Sequence, residues 1–307
     1  MRFSLVVPTL NASGHWPRWY DALRDQNSTP EKVIILDSES TDGTQDTARA
    51  AGYEVIKIER STFDHGGTRQ KGLSYLPENT EVVVYLTQDS ILAGPDALRN
   101  IVAAFEDPTI GVAYGRQLPR PVAGSIEAHA RIYNYPAAKE TRTYDDRARL
   151  GIKAPFSSDS FAAYRLSALT EVGGFPTRAI ASEDLITAAN IMRAGWKLSY
   201  AADAMVYHSH GYSVMEEFRR YFDIGVLHSH EGWLLTEFGK PEGEGTRFLR
   251  SELSYLSRNS PALIPISVVK TLAKYLGYRL GRAERYVLKP VKVSLSMNKN
   301  FWKRSVG

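Results

Sequence analysis

The residues best suited to do chemistry are carboxylates and histidines that sit beside turns. Asp89 falls in Val82–Leu92, VVVYLTQDSIL, which is apolar and β-branched as far as Leu86 and polar from Thr87. Such a run reads as a strand buried on both faces. Its polar tip lies at the carboxyl end, where open α/β sheets gather their ligand loops. A carboxylate there can hold a divalent metal, and the metal can hold a diphosphate; the plainer alternative is that Asp89 caps the next turn. Asp37 and Asp42 lie in DSESTDGT after another apolar run. They can accept from an imide N–H or from hydroxyls, or close an Asx-turn and a helix cap. His65-Gly66-Gly67-Thr68-Arg69 opens a helical stretch. Glycines at a helix start let the backbone approach a phosphate, and Arg69 can add a charge-assisted bond to it; a Gly-rich turn with a surface arginine is the alternative. Glu183-Asp184 follows Ser182 at another helix start. Adjacent helical residues point about 100° apart, so only one of the pair can face a substrate as a proton-accepting base. The dipole alone also favours acids there.

These groups need elements to hold them. Strands are expected at 3–7, 32–36, 54–58 and 82–86, with helices at 16–26, 44–51 and 66–76 between them. Strands alternating with helices argue for βαβ units and a parallel sheet. Further on, helices are expected at 97–105, from 125 into a loop by 144, at 166–172 and from a Ser182 cap to Gly195; strands are expected at 111–115, 160–164, 197–200 and 204–208. The pattern breaks at Lys240-Pro241-Glu242-Gly243-Glu244-Gly245, a candidate boundary between a body, 1–238, and a helical tail, 239–307.

The chain has 307 residues, 43% hydrophobic and 23% charged, enough for a sizeable core in one large domain or two modest ones. It has no cysteine, which excludes disulfides and thiolate metal sites. The start, MRFSLVVP, lacks the parts of a signal peptide, and no apolar run reaches the roughly 18 residues of a spanning helix. Charge is uneven. From Lys270 onward there are ten Lys/Arg and one acid, Glu284, so this segment carries +9 and the preceding 269 residues −5 against a whole-chain +4.

Several segments together resemble the inverting family-two glycosyltransferases of GT-A fold: PTLN at 8–11, DSESTDGT at 37–44, TQD at 87–89 and SEDLITAANIMRAGW at 182–196, in that order. FDHGGTRQKG at 63–72, TQDS and VYHSHGYS are similar to the bacterial rhamnosyltransferases of that family. The likeness covers residues 1 to about 230. It implies a Rossmann-like α/β catalytic domain with a mostly parallel sheet, followed by a helical extension. It implies donor binding by Pro8, Asp37, Asp42, His65, Gly67, Arg69 and Gln88. Asp184 becomes the base, and Glu183 contacts the acceptor or fixes the loop. Asp89 matches the last acid of the family's DxD motif, but Thr87 stands at the first, so a second ligand is needed; His208 or His210 is the partner that the likeness suggests. A histidine tilts the choice from Mg²⁺ towards Mn²⁺.

Apolar positions 269, 272, 276, 280, 283 and 287 share one face of an expected helix over 268–287, with Lys270, Lys274, Arg282 and Arg285 opposite. Such a helix either packs its apolar face on the body or lies on an anionic membrane. No nucleic-acid motif accompanies the basic tail. The expected reaction is transfer of a sugar, L-rhamnose from dTDP-β-L-rhamnose by resemblance, to a saccharide or polyprenyl-linked saccharide. It would take place in the cytoplasm at the inner face of the plasma membrane, and a homo-oligomer stays open. Two alternatives are a nucleotidyltransferase, against which Thr9-Leu10-Asn11-Ala12 lacks a basic Gly-rich signature, and a non-catalytic nucleotide-sugar or glycan binder.

Overall fold

The computed structural model describes residues 1–239 and 243–304. Half of the boundary expected at 240–245, Lys240-Pro241-Glu242, therefore lies outside the described residues. The strands are β1 (Phe3–Thr9), β2 (Val33–Asp37), β3 (Glu54–Lys57), β4 (Val82–Leu86), β5 (Ile91–Leu92), β6 (Ile110–Leu118), β7 (Glu140–Arg142), β8 (Phe161–Arg165) and β9 (Lys197–Tyr207). The helices are α1 (Trp16–Arg24), α2 (Thr44–Ala50), α3 (His65–Gly72), α4 (Ala97–Ala103), α5 (Ser125–Asn134), α6 (Arg147–Leu150), α7 (Leu166–Glu171), α8 (Glu183–Arg193), α9 (Val214–His230), α10 (Gly232–Phe238), α11 (Glu244–Asn259), α12 (Ile264–Arg282), α13 (Lys289–Leu295) and α14 (Lys299–Arg304).

All nine strands form one mixed sheet, ordered β3-β2-β1-β4-β8-β6-β9-β5 with β7 on β9. β1 to β4 are parallel to one another. β8 runs against both β4 and β6, and β6 is parallel to β9. Hence β1, β2, β3, β4, β6 and β9 all point one way, and their carboxyl ends share one edge. β8 begins at that edge. The helices α3 and α8 run back before β4 and β9, so their N-termini lie there too. The chain winds outward from β1 to β3 and then returns to β4 on the other side of β1, which puts a topological switch point between β1 and β4.

Alternation along β1 and β4 explains why both read as continuous apolar runs. Val6, Val83 and Tyr85 enter one core layer, and Leu5, Val7, Val84 and Leu86 enter the other. The two strands expected at 197–200 and 204–208 are one, β9. A register shift against β6 between Gly115 and Arg116 leaves Ala202 to Ala204 unpaired with it, and this bulge is what breaks the period in the sequence.

Of the two readings of the tail helix, packing of its apolar face on the body is not what is seen. α12 crosses α9 through small residues: a Cβ on Gly277 or Gly281 would lie 2.3 Å from Phe218 O or 2.1 Å from Phe222 O. On α9, a Cβ on Gly225 would lie 2.4 Å from Tyr278 O. Lys274, expected on the solvent side, faces inward to Glu217 at 3.3 Å. Val269, Leu272 and Leu276, the core of the expected apolar face, are exposed. The helix also ends at Arg282 rather than at Val287.

Candidate active site

Non-glycine residues with positive φ mark the carboxyl edge. Among the described residues they are Asn11 after β1, Glu39 after β2 and Ser182 before α8. Strain of this kind persists where surrounding contacts over-determine the backbone, and here they do. Asn11 Oδ1 accepts from Thr41 N–H, and Asn11 N–H donates to Ser40 Oγ. Ser182 occupies the cap position of α8, but its side chain makes no cap bond, so the expected serine cap is not formed.

Asp37 is fully buried. Its oxygens accept from Thr9 Oγ1 at 2.9 Å, Ser40 N at 2.9 Å, Ser40 Oγ at 2.5 Å and Gln45 Nε2 at 2.7 Å. Asp42 accepts from Ser13 N–H and from both Thr44 N–H and its hydroxyl; these bonds outweigh the raising effect of burial and hold it well below the usual carboxylate range. Both acids, expected as donor ligands, fix the β2–α2 loop in this structure. Gln88 accepts from Leu10 N–H at 2.7 Å and donates to Leu10 O at 3.1 Å, tying the tips of β4 and β1 across the switch point. Pro8 lies within β1 opposite Leu36.

The glycines of α3 have a different reason from the one expected. A Cβ on Gly66 would lie 1.8 Å from Pro176 O, and one on Gly67 2.6 Å from Asp64 Oδ2. Asp64 caps the helix by accepting from Gly67 N–H at 2.6 Å, so the anion at this N-terminus is the chain's own carboxylate. His65, exposed, lines a cavity of about 760 Å³ together with Arg178, Lys299 and Asn300. Arg69, expected as a donor ligand, is 4% exposed, with Nη1 2.6 Å from Glu183 Oε1 and Nε 2.8 Å from Asp159 Oδ2. In this structure its guanidinium pairs with those two carboxylates.

Glu183 is accordingly the buried member of its pair and joins α8 to α3. Asp184 is half-buried, its oxygens accepting from Asp159 N–H at 3.2 Å and Leu185 N–H at 2.8 Å. Burial, then the neighbouring Glu183 and Asp159, push its pKa upward, and Arg69 only partly opposes them. Burial also pushes Asp159 up to about 6 against the pull of Arg69. Tyr164 donates to Asp159 at 2.6 Å, and Tyr85 donates to Arg69 O at 2.9 Å. Asp159 was missed in the sequence; its signal is a polar SSDS immediately before the buried strand FAAY.

The second cluster lies past β4 and β9. Asp89 Oδ2 is 3.4 Å from His208 Nε2 and 3.3 Å from His210 Nε2, and those nitrogens are 3.0 Å apart. The ring state follows from Gln117. Its Nε2 donates to Ser158 Oγ and its Oε1 accepts from Arg131 Nη1, so His208 Nδ1, 2.9 Å from that oxygen, must carry the proton. Burial, then His208, push His210 down to about 4, which leaves it neutral at pH 7. Burial raises Asp89, but His208, His210 and Thr87 outweigh it and keep the acid ionised. The three donor atoms lie within 4.8 Å of one another, a spacing that fits one cation about 2.1 Å from each. Gln117 fixes the orientation of the His208 ring, as the outer partner of a ligand imidazole would. Arg120, also missed, binds Asp89 at its carbonyl, 2.9 Å, and its carboxylate, 3.2 Å. It stands between two prolines in the loop after β6.

The chain matches glycosyl transferase family 2 over residues 4–173. It is 41% identical over 303 residues to the O-antigen chain rhamnosyltransferase RfbN of Salmonella typhimurium, covering 98% of this chain and 96% of that protein. The chain belongs to glycosyl transferase family 2. A second relative of this family 2 chain, the O-antigen chain rhamnosyltransferase WbaN of Salmonella anatum, is 42% identical and covers 98% and 95% of the two chains. Solved structures share the fold. The Pyrobaculum calidifontis mannosyltransferase, in complex with GDP-Man and Mn²⁺, aligns with TM-score 0.55 at 21% identity over 98% of this chain and 84% of that one. Staphylococcus aureus TarS 1–349 aligns with TM-score 0.53 at 17% identity over 93% and 91%. This family 2 protein is thus a hexosyltransferase of GT-A-like fold with a helical C-terminal region, and the nucleotidyltransferase and non-catalytic alternatives fall away.

Proposed function

We propose that this enzyme moves L-rhamnose from dTDP-β-L-rhamnose to a hydroxyl of a growing cell-surface polysaccharide or polyprenyl-linked oligosaccharide, with inversion. The observation that carries the reading is end-to-end likeness to two O-antigen chain rhamnosyltransferases; the chemistry of the sheet edge supports it. Asp184 takes the acceptor hydroxyl proton as that oxygen attacks the anomeric carbon. The bond from that carbon to the diphosphate oxygen breaks, and dTDP departs with the electron pair. Asp89, His208 and His210 would hold a divalent cation, which when bound would supply positive charge towards the departing diphosphate, and two imidazoles favour Mn²⁺ over Mg²⁺. The nucleotide lies over the switch point, on loops that Asp37, Asp42 and Gln88 hold in shape beside Pro8, with His65 and Gly67 at the adjacent helix start. Arg69 and Glu183 act as positioning residues for Asp184. Residues 1–238 form the catalytic body and 239–307 a tail that keeps the enzyme peripheral on the inner face of the plasma membrane. No helix among the described residues is long and apolar enough to cross a membrane.

The test offers purified protein a panel of nucleotide-sugars with Mn²⁺ or Mg²⁺ and measures release of the nucleoside diphosphate. Release from dTDP-β-L-rhamnose that stops on chelation is expected. Activity confined to another nucleotide-sugar overturns the rhamnose assignment and leaves the transferase class intact.

A further inference from the structure

The outward face of α12 is built the wrong way round for a helix that only packs on its own domain. Its inward side is mostly small or charged: Ser267, Ala273, Gly277 and Gly281 are buried, Lys274 pairs with Glu217, and Lys270 donates to Tyr212 O; Tyr278 and Leu280 near its end are the larger side chains that pack inward. Its outward side carries Val268, Val269, Leu272, Tyr275 and Leu276, of which Leu272 is 56% and Leu276 50% exposed. The chain just beyond adds Tyr286 and Leu288, each 75% exposed. A contiguous apolar face of this kind marks a contact surface.

Charge selects the partner. Arg279 and Arg282 are exposed on α12, and Arg285 and Lys289 follow it, also exposed. The sole acid from 264 to 304 is Glu284. It is buried and paired with Lys292 and His230, so nothing acidic in this segment neutralises the rim. A second copy of the chain fits poorly. A two-fold contact sets the same patch against itself, and the partner's copy of this segment would bring no exposed acid to match the rim. An anionic phospholipid bilayer offers both halves of the match: an apolar layer for the leucines and a negative headgroup plane for the basic rim.

We infer that the outward face of α12, centred on Leu272 and Leu276 and rimmed by Arg279, Arg282, Arg285 and Lys289, is the surface by which this enzyme docks on an anionic lipid bilayer. The inference rests on the peripheral placement proposed above and gives it an address in the fold. It does not depend on the identity of the sugar.

The test floats the full chain with phosphatidylcholine vesicles that contain or lack phosphatidylglycerol. Binding is expected only with phosphatidylglycerol and weakens with added salt. The double variant Leu272→Glu/Leu276→Glu should bind at least about tenfold more weakly, from lost apolar burial. Arg279→Gln and Lys289→Gln should each lose about fivefold. The melting temperature and the release of nucleoside diphosphate from the donor in the absence of vesicles should stay at wild-type values in all three. Equal binding by the Leu272→Glu/Leu276→Glu variant overturns the inference. So does a wild-type dimer in solution that the same variant dissociates, which assigns the face to a second copy. Either failure leaves the transferase reading standing, because that is read from donor turnover without lipid.

Discussion

Two charged clusters share the carboxyl edge of the sheet, and they are balanced differently. In the first, donor atoms of Asp89, His208 and His210 lie within 4.8 Å of one another. The Arg120 guanidinium bonds Asp89 Oδ2, the same oxygen that faces both imidazoles. In the second, Arg69 stands between Glu183 and Asp159 and satisfies both. One carboxylate is left over, Asp184, held near the others with a raised pKa. The two clusters thus differ in what the chain's own charges leave open: a convergence of donor atoms in one, and a carboxylate with a raised pKa in the other.

That contrast can be broken at several points. The largest effect is expected from Asp184→Asn, which removes the base: kcat should fall about 10³-fold while dTDP affinity, measured by calorimetry, stays within error. A comparable fall in dTDP affinity would move Asp184 from base to donor ligand. Next comes Gln117→Leu, which frees the His208 ring. Mn²⁺ affinity, read by titration without substrate, should drop about 10- to 100-fold, and saturating Mn²⁺ should restore donor turnover. Arg69→Met leaves two buried acids without their cation and should cost about 3–5 kcal/mol in denaturant unfolding; a loss under 1 kcal/mol would mean the pairing is incidental.

The smallest effects concern pH. Asp184 and Asp159 titrate higher in the folded state than the ordinary value of about 3.9. The folded protein therefore binds more protons than the unfolded chain between the ordinary and raised values, and stability falls as pH rises through that window. Asp184→Asn should consequently melt higher than wild type at alkaline pH, by about 2 °C or more, and show little gain near pH 4. For wild type, kcat should rise with pH along a limb displaced well above the ordinary carboxylate range. A limb at the ordinary position would remove Asp184 as the titrating base.

Much of the scaffold was readable because it depends on local pattern. The β-branched run before Asp89 is buried on both faces, and the alternation over the first 92 residues is the parallel half of the sheet. The angular argument for Glu183 and Asp184 also holds: one is buried and one is available. What could not be read has a common cause. Arg69 finds Glu183 114 residues away, and no local signal says whether an arginine at a helix start will meet a phosphate or a carboxylate. Nor does a local signal show that Pro176 and Asp64 leave no room for a Cβ at Gly66 and Gly67.

The order of elements, the end of the sheet at which the acids gather and the family to which they belong are written in local pattern, since periodicity and turn chemistry act over a few residues. Which charges are neutralised and which way α12 faces depend on long-range packing. Charge balance depends on every group within a few ångströms regardless of separation along the chain. The glycines of α12 and α9 allow a closer backbone approach than leucines would, so the helix packed by its small side and left its large apolar residues outside.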